Sequence, residues 1–236
     1  MLKERRRVKG LLLAVLLLPG VVMADAGQAD PLEGYNRAMF SFNDKADRWV
    51  LKPVAKGYRY VTPDFFERGV SRMFSNLGEV LNVVNDLLQG KVGQAGNDGG
   101  RLLINSTIGI AGFFDVAKHA GLEKSAGEDF GQTFGAWGVG EGAYVVLPFW
   151  GPSTLRDAPS LLLDSVFNPI GEVDHVPTRN QLYGANVVSV RADLLEAEKL
   201  IKGDRYAFIR DVYLQRRQFL VNDGEVEDDF GDDDYN

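Results

Sequence analysis

Apolar residues recur down this chain at alternating steps of three and four, a spacing that restricts it to a fold of amphipathic helices. Leu32, Tyr35, Met39, Phe42, Ala46 and Trp49 form one such stripe. Asp30 can cap that helix, Pro31 suits its first position, and Glu33 completes an acidic capping box. Pro53 is expected to interrupt it. Thr62-Pro63 predicts a second start, with Phe66, Val70, Met73 and Phe74 on one side. A further helix runs through Leu77, Val80, Leu81, Val84, Leu87 and Leu88 to a stop at Gly90. After a glycine-rich turn, Leu102 to Ala117 is apolar around much of its circumference, as in a helix that is buried or faces lipid.

The middle of the chain changes character. Gly131, Gly135, Gly138, Gly140 and Gly142 are spaced through Thr133–Tyr144, which predicts a short hairpin or an extended loop. Pro148, Pro152 and Pro159 predict an irregular stretch. Helix resumes near Thr178, with Gln181 as its capping-box partner, and runs to about Lys202. Asp204 caps a last helix that Gly224 ends. There is no internal repeat. The expectation is one mostly α-helical domain.

Composition removes several kinds of chemistry. With no cysteine there are no disulfides, thiolate metal sites or cysteine nucleophiles, and two histidines, His119 and His175, make a multi-histidine metal centre a poor fit. No cofactor is expected. The formal net charge is −7, and phosphate-backbone binding needs a basic surface, so nucleic acid is not an expected partner.

The two ends read differently from the body. Lys3, Arg5, Arg6, Arg7 and Lys9 precede the short apolar run Leu11–Leu18, and Val22-Met23-Ala24 offers a small-residue cleavage site. Residues 1–24 are therefore expected to be a signal peptide, shorter in apolar length than a bilayer span. Residues 25–222 are the expected domain. Residues 223–236, rich in aspartate and without a base, are an expected disordered acidic tail.

Catalytic and ligand motifs are weak. No G-x-S-x-G turn occurs. His119 sits in a Lys-His-Ala-Gly stretch that reads as a helix end, and His175 precedes Pro177 in a loop. Gly138-Val139-Gly140-Glu141-Gly142 lacks the Lys-Ser/Thr of a phosphate cradle. The aspartates of the tail match no calcium loop. What stands out is aromatic and apolar surface. Phe65-Phe66, Phe113-Phe114 and Phe149-Trp150 read mostly as core, while Trp49, Trp137 and Trp150 suit a water–lipid interface. Several broad apolar faces, none clean enough to span, fit a protein lying within one leaflet.

Two long ordered motifs carry a resemblance. Asp30-Pro31-Leu32-Glu33-Gly34-Tyr35-Asn36-Arg37-Ala38-Met39-Phe40-Ser41-Phe42-Asn43 is similar to the opening of the mature domain in the MlaA/VacJ family. FGQTFGAWGVGEGAYVVLPFWGPSTLRD, from Phe130 to Asp157, resembles that family's glycine-rich block. Asn105-Ser106-Thr107-Ile108-Gly109 and Gly112-Phe113-Phe114-Asp115-Val116-Ala117 match it as well. The similarity covers roughly Asp30 to Asn222.

The resemblance implies a ring of helices embedded in the inner leaflet of the outer membrane, at its periplasmic face, enclosing an amphipathic channel. It implies transport without catalysis: the protein, held beside a trimeric porin, removes phospholipids mislocalised to the outer leaflet and hands them to the periplasmic carrier MlaC. The first helix and the glycine-rich segment influence channel opening in such proteins. Carried over, this points to Ser41, Phe42 and Asn43, and to Gly138, Val139 and Gly140. Arg156-Asp157 is expected to anchor a loop. One departure stands: relatives carry a lipid-modified cysteine after the signal, and this sequence has none. Two rival readings are a soluble periplasmic lipid-binding protein and a phospholipase-like enzyme using His119 or His175.

Overall fold

The structure, a computed structural model, describes residues 30–225. The expected signal peptide and the acidic tail beyond Glu225 lie outside the described residues. Eight α-helices and one two-stranded sheet make up the described chain. Helix α1 is Glu33–Ala46, followed by a π turn at Asp47–Leu51 and α2 at Lys52–Val61. Then come α3 (Asp64–Leu88), α4 (Val92–Thr107) and α5 (Phe130–Ala136). Strands β1 (Tyr144–Leu147) and β2 (Gly151–Thr154) precede α6 (Asp157–Phe167), α7 (Val176–Asp193) and α8 (Arg205–Val221).

Several expected boundaries are corrected. Pro53 does not interrupt the first helix. The π turn widens the ladder just before it, with Lys52 N–H donating to the Asp47 carbonyl, so Pro53 falls in the first turn of α2, where its missing N–H costs nothing. The two helices expected between Thr62 and Gly90 are one of 25 residues. The glycines after Gly90 lie inside α4 rather than in a turn, and the expected helix Leu102–Ala117 ends at Thr107. Beyond it the chain turns back through Ile110, Ala111 and Gly112, all at positive φ. At Gly112, φ is +88° and an added Cβ would lie 2.5 Å from Asn76 Cβ, so only glycine fits.

Later elements differ too. Phe130–Ala136 is helix, and the hairpin lies at Tyr144–Thr154, where an irregular stretch was expected. Leu147 pairs with Gly151, leaving Pro148, Phe149 and Trp150 as a three-residue loop. Helix α7 starts at Val176 and ends at Asp193, and Thr178 bonds His175 instead of forming a capping box with Gln181. The Asp30 cap also differs: its carboxylate accepts from Leu32 N–H and Asn36 Nδ2, while Glu33 pairs with Arg37. Asp204 caps α8 as expected, accepting from Tyr206 and Ala207 N–H.

Packing neighbours close a circuit. Helix α1 packs on β1, β2 on α8, α8 on α5, α5 on α3, α3 on α7, and α7 on α2, which continues back into α1. Helix α4 lies along α3 and α6 against α5. The result is a ring of helices sealed by the hairpin. Its apolar cores are small. One joins Ala55, Ala192 and Leu195, with Tyr58 against them; the other joins Tyr144, Val146 and Tyr206, with Met39 and Phe40 against them.

Elsewhere the usual distribution is inverted. Among fully buried residues, polar and charged side chains outnumber apolar ones, while large apolar side chains crowd the exposed surface. Of the predicted stripe, Leu32, Tyr35, Phe42 and Trp49 are exposed, Met39 and Ala46 are half-buried, and the buried residue of α1 is Asn36. The phenylalanine pairs are not core either. Phe65, Phe66, Phe113 and Phe114 cluster edge to face at centroid distances of 5.1–5.5 Å, with Phe65 and Phe114 tilted at 6.1 Å, yet three of the four are exposed. No described helix is long and apolar enough to cross a membrane.

Gly112→Ala should destabilise the protein by roughly 2–4 kcal/mol through combined backbone strain and overlap. Thermal unfolding in detergent measures it; an unchanged melting midpoint contradicts the packing described.

Candidate functional site

The hairpin is bound to α1 by two asparagine side chains one heptad apart. Asn36 Nδ2 donates to the Tyr144 carbonyl at 3.0 Å, and its Oδ1 accepts from Val146 N–H at 2.8 Å. Asn43 Nδ2 donates to the Leu147 carbonyl at 2.9 Å, and its Oδ1 accepts from Phe149 N–H at 2.8 Å. The Asn36 amide thus presents a donor and an acceptor to the edge of β1, as a neighbouring strand would, and the Asn43 amide ties the end of β1 to the loop. The residues lie two helical turns apart on one face.

Helix periodicity also brings Phe42 to the hairpin tip, where its ring meets Phe149 edge to face at 5.1 Å. Phe149 has φ +66°, a strained conformation for a bulky residue. The Asn43 amide and the Phe42 ring hold it there. Phe42 is therefore half-exposed against a loop, not part of a core.

Of the residues predicted as a gate, Ser41 is exposed, and Phe42 and Asn43 join the hairpin tip. Gly138, Val139 and Gly140 do not join them; no hydrogen bond links the two groups among the described residues. Gly138 N–H and Val139 N–H close the end of α5 by donating to the Gly135 and Phe134 carbonyls. Gly138 has φ +86° with open space around its Cα, and Val139 is exposed.

Behind the hairpin lies a buried ion network. Arg217 Nη1 and Nη2 donate to Asp129 at 2.6 and 3.0 Å, and its Nε lies 2.9 Å from Asp157 Oδ2. Arg156 Nε donates to the other Asp157 oxygen, and Tyr213 Oη donates to Oδ2. Burial alone would raise the pKa of Asp129, but bonds from Arg217 outweigh it and hold the carboxyl below its ordinary range. Arg156-Asp157 thus anchors the start of α6 to α8 and, through Arg217, to α5. Gly131 permits this, since an added Cβ would sit 2.5 Å from Asp157 Oδ1.

A second network orders the loop after α4. Arg101, nearly fully buried, pairs with Glu79 at 3.4 Å and with both oxygens of Asp115 at 3.2 Å, and donates to the Leu122 carbonyl. Asn105 donates to Asp115 and accepts from Ala117 N–H. Near it, Asp86 is wholly buried and neither carboxylate oxygen has a protein partner. Burial, with Asp98 and Glu128 adding to it, pushes its pKa up to about 7. Sequence reasoning missed Asn36, Arg101 and Arg217. For Asn36 a signal existed in its seven-residue spacing from Asn43; the arginines look like ordinary surface charges on polar faces.

The histidines are apart from these networks. His175 Nδ1 bonds Thr178 Oγ1 at 2.8 Å, at the start of α7. His119 ends a 3-10 turn and borders an open cleft of about 400 Å³ with Arg72, Asp115 and Lys118. No cluster of three or more potential metal ligands exists among the described residues.

The fold and its networks define a class: a helical ring with a polar, ion-paired interior and an apolar, aromatic exterior. Residues 28–220 match the family described as MlaA lipoprotein, and the chain belongs to that family. It is 36% identical over 228 residues to the intermembrane phospholipid transport system lipoprotein MlaA of Escherichia coli (strain K12), covering 93% of this chain and 90% of that protein. The Haemophilus influenzae protein of the same name is 34% identical over 204 residues, covering 84% and 81%. A solved chain from work on the structural basis for maintenance of bacterial outer membrane lipid asymmetry superposes with TM-score 0.72 at 34% identity. It covers 83% of this chain and 100% of that one.

Two outcomes follow. Asn43→Ala removes two hydrogen bonds and should cost about 1–2 kcal/mol, with faster amide exchange confined to residues 147–151; unchanged exchange there rejects the clamp. For Asp86, a raised folded pKa means the folded state holds a proton that the unfolded chain releases. That contribution is whole below about pH 4 and lost as pH rises through 7. Asp86→Asn should therefore match wild type in melting at pH 4 and exceed it at pH 8, by about 1–3 kcal/mol.

Proposed function

We propose that this protein is the outer-membrane component of an intermembrane phospholipid transport system. It removes phospholipids mislocalised in the outer leaflet and passes them to a periplasmic carrier, MlaC, while docked beside a trimeric porin. The observation that carries this reading is the inverted side-chain distribution. Trp49, Tyr60, Phe149 and Trp150 are 83%, 92%, 74% and 73% exposed, while Glu79, Asp86, Asp98 and Arg101 are buried. Leaving such rings in water forfeits about 1.5–3 kcal/mol apiece, so a protein built this way gains by placing them in hydrocarbon. A soluble lipid carrier would hold them inside.

A charged headgroup crossing hydrocarbon unaided faces a prohibitive desolvation cost. A polar passage through the ring lowers it. Buried oxygens without a protein partner, on Asp86, Gln132 and Glu141, suit a wetted route. Phe42 and Asn43, with Ser41 beside them, form one side of the gate, and the hairpin tip they hold forms the other. Gly138, Val139 and Gly140 act as a separate hinge at the end of α5.

Transport of this kind needs no bond-making residue, and no enzymatic role is assigned to His119 or His175. Export follows from residues 1–24. The apolar belt supports attachment to the membrane, with porin contact adding to it.

Deleting the gene should raise surface-exposed phospholipid and detergent sensitivity, and the wild-type gene should restore both, as should a His119→Ala, His175→Ala double variant. A normal outer leaflet in the deletion strain defeats the transport reading. Replacing Gly138 and Gly140 by alanine should alter lipid flux; wild-type flux removes the hinge.

A further inference from the structure

Away from the hairpin, α2 and the 3-10 turn at Ala197–Leu200 enclose an open cleft of about 560 Å³. Lys52, Lys56, Arg59 and Tyr60 reach it from α2, where their spacing of four, seven and eight residues places them on one face. Glu196, Glu198 and Lys199 line the opposite wall.

The charges there are nearly matched, and the mismatch is informative. Glu198 receives Lys52 at 2.9 Å, Arg191 at 2.6 Å and Arg205 at 3.1 Å. Burial opposes its ionisation, but bonds from Lys52 and Arg191 prevail and hold it at about 2. Asp47 and Asp44 supply Arg191 and Arg205 with further carboxylates. Arg59 is shared by Glu67 and Glu196, and Glu196 also pairs with Lys199. Lys56 alone among the cleft's cations has no carboxylate within 4 Å among the described residues, and it is exposed. Arg48 also shares Asp44, so the frame as a whole is positive and Lys56 is its unpaired cation.

Its surroundings say where that charge sits. Val54 and Val61, on the far side of α2 from Lys56, are exposed, and so are Tyr60 at the cleft rim and Trp49 before it. Aliphatic side chains beside exposed tyrosine, tryptophan and lysine are the composition of a helix lying at headgroup depth. On the reading of a leaflet-embedded ring, the cleft opens at the level of lipid phosphates.

We propose that this α2 cleft is a binding site for the headgroup of an anionic phospholipid, with the phosphodiester on Lys56. It lies outside the gate at the hairpin and gives the ring a preference for anionic over zwitterionic lipid. A phosphodiester supplies the anionic partner that Lys56 lacks. A zwitterionic headgroup brings its own cation into an already positive cleft and gains less.

The test uses the full protein in detergent, titrated with dihexanoyl-phosphatidylglycerol, dihexanoyl-phosphatidylcholine and inorganic phosphate by native mass spectrometry. Phosphatidylglycerol should bind about tenfold better than phosphatidylcholine, the scale of one charge-assisted contact. Lys56→Gln should erase that preference, Lys56→Arg should keep it, and Lys45→Gln, on α1, should leave it unchanged. Equal binding of inorganic phosphate and phosphatidylglycerol overturns the lipid assignment. A preference that survives Lys56→Gln overturns the site. If wild type clears surface phospholipid in cells yet has no headgroup preference, the cleft fails and the transport reading stands. If wild type neither fractionates with membranes nor clears lipid, both fail together.

Discussion

Arg217 and Arg101 are the points on which the ring turns. Each guanidinium is almost wholly buried and each is met by carboxylates from distant parts of the chain. Removing one partner of such a pair strands the other charge in low dielectric, at about 3–5 kcal/mol. The ring therefore cannot slide or repack its helices freely, as a greasy core could. Arg217 locks α8 to the start of α5 and of α6, and Arg101 locks α4 to α3 and to the loop that follows. Planar, multidentate and always charged, arginine suits this role better than lysine.

Spending the interior on polar groups has a consequence at the surface. With two small apolar clusters among the described residues, few hydrophobic contacts join the elements of the ring, and many aromatic side chains are left for the environment. Hydrocarbon supplies the contacts a core would otherwise make. The hairpin differs along its length: its base is seated in the core of Tyr144, Val146 and Tyr206 and bonded by Asn36, while its tip is tied to α1 by Asn43 and stores strain at Phe149. That tip, exposed and fixed by a few replaceable bonds beside elements fixed by buried ion pairs, is the part of the ring best suited to move. The basic α2 cleft lies in the rigid part, which suits recognition more than gating.

Much of this was legible in the residues. The steps of three and four located the helices, Asp204 and Gly224 marked the bounds of the last one, and the two family motifs pointed to the chain's relatives. Boundaries failed where a local signal met a tertiary remedy. Pro53 would break an ordinary helix, but a π turn absorbed it. The glycines after Gly90 read as a turn, yet they sit in a helix packed along α3. The glycine-rich stretch from Gly131 promised the hairpin a few residues too early, because Asp129 accepts from Gln132 N–H and starts α5 there.

Periodicity tells which residues share a face and is silent on what that face meets. Nothing in the spacing of Leu32, Tyr35, Phe42 and Trp49 distinguishes a stripe turned to a core from one turned to lipid. That choice depended on whether Asn36, Asn43, Arg101 and Arg217 found partners a long way along the chain. Folding brought Tyr144, Leu147, Asp115, Asp129 and Asp157 to them. Once those pairs formed, the polar faces had a reason to be inside, and the apolar ones were left outside.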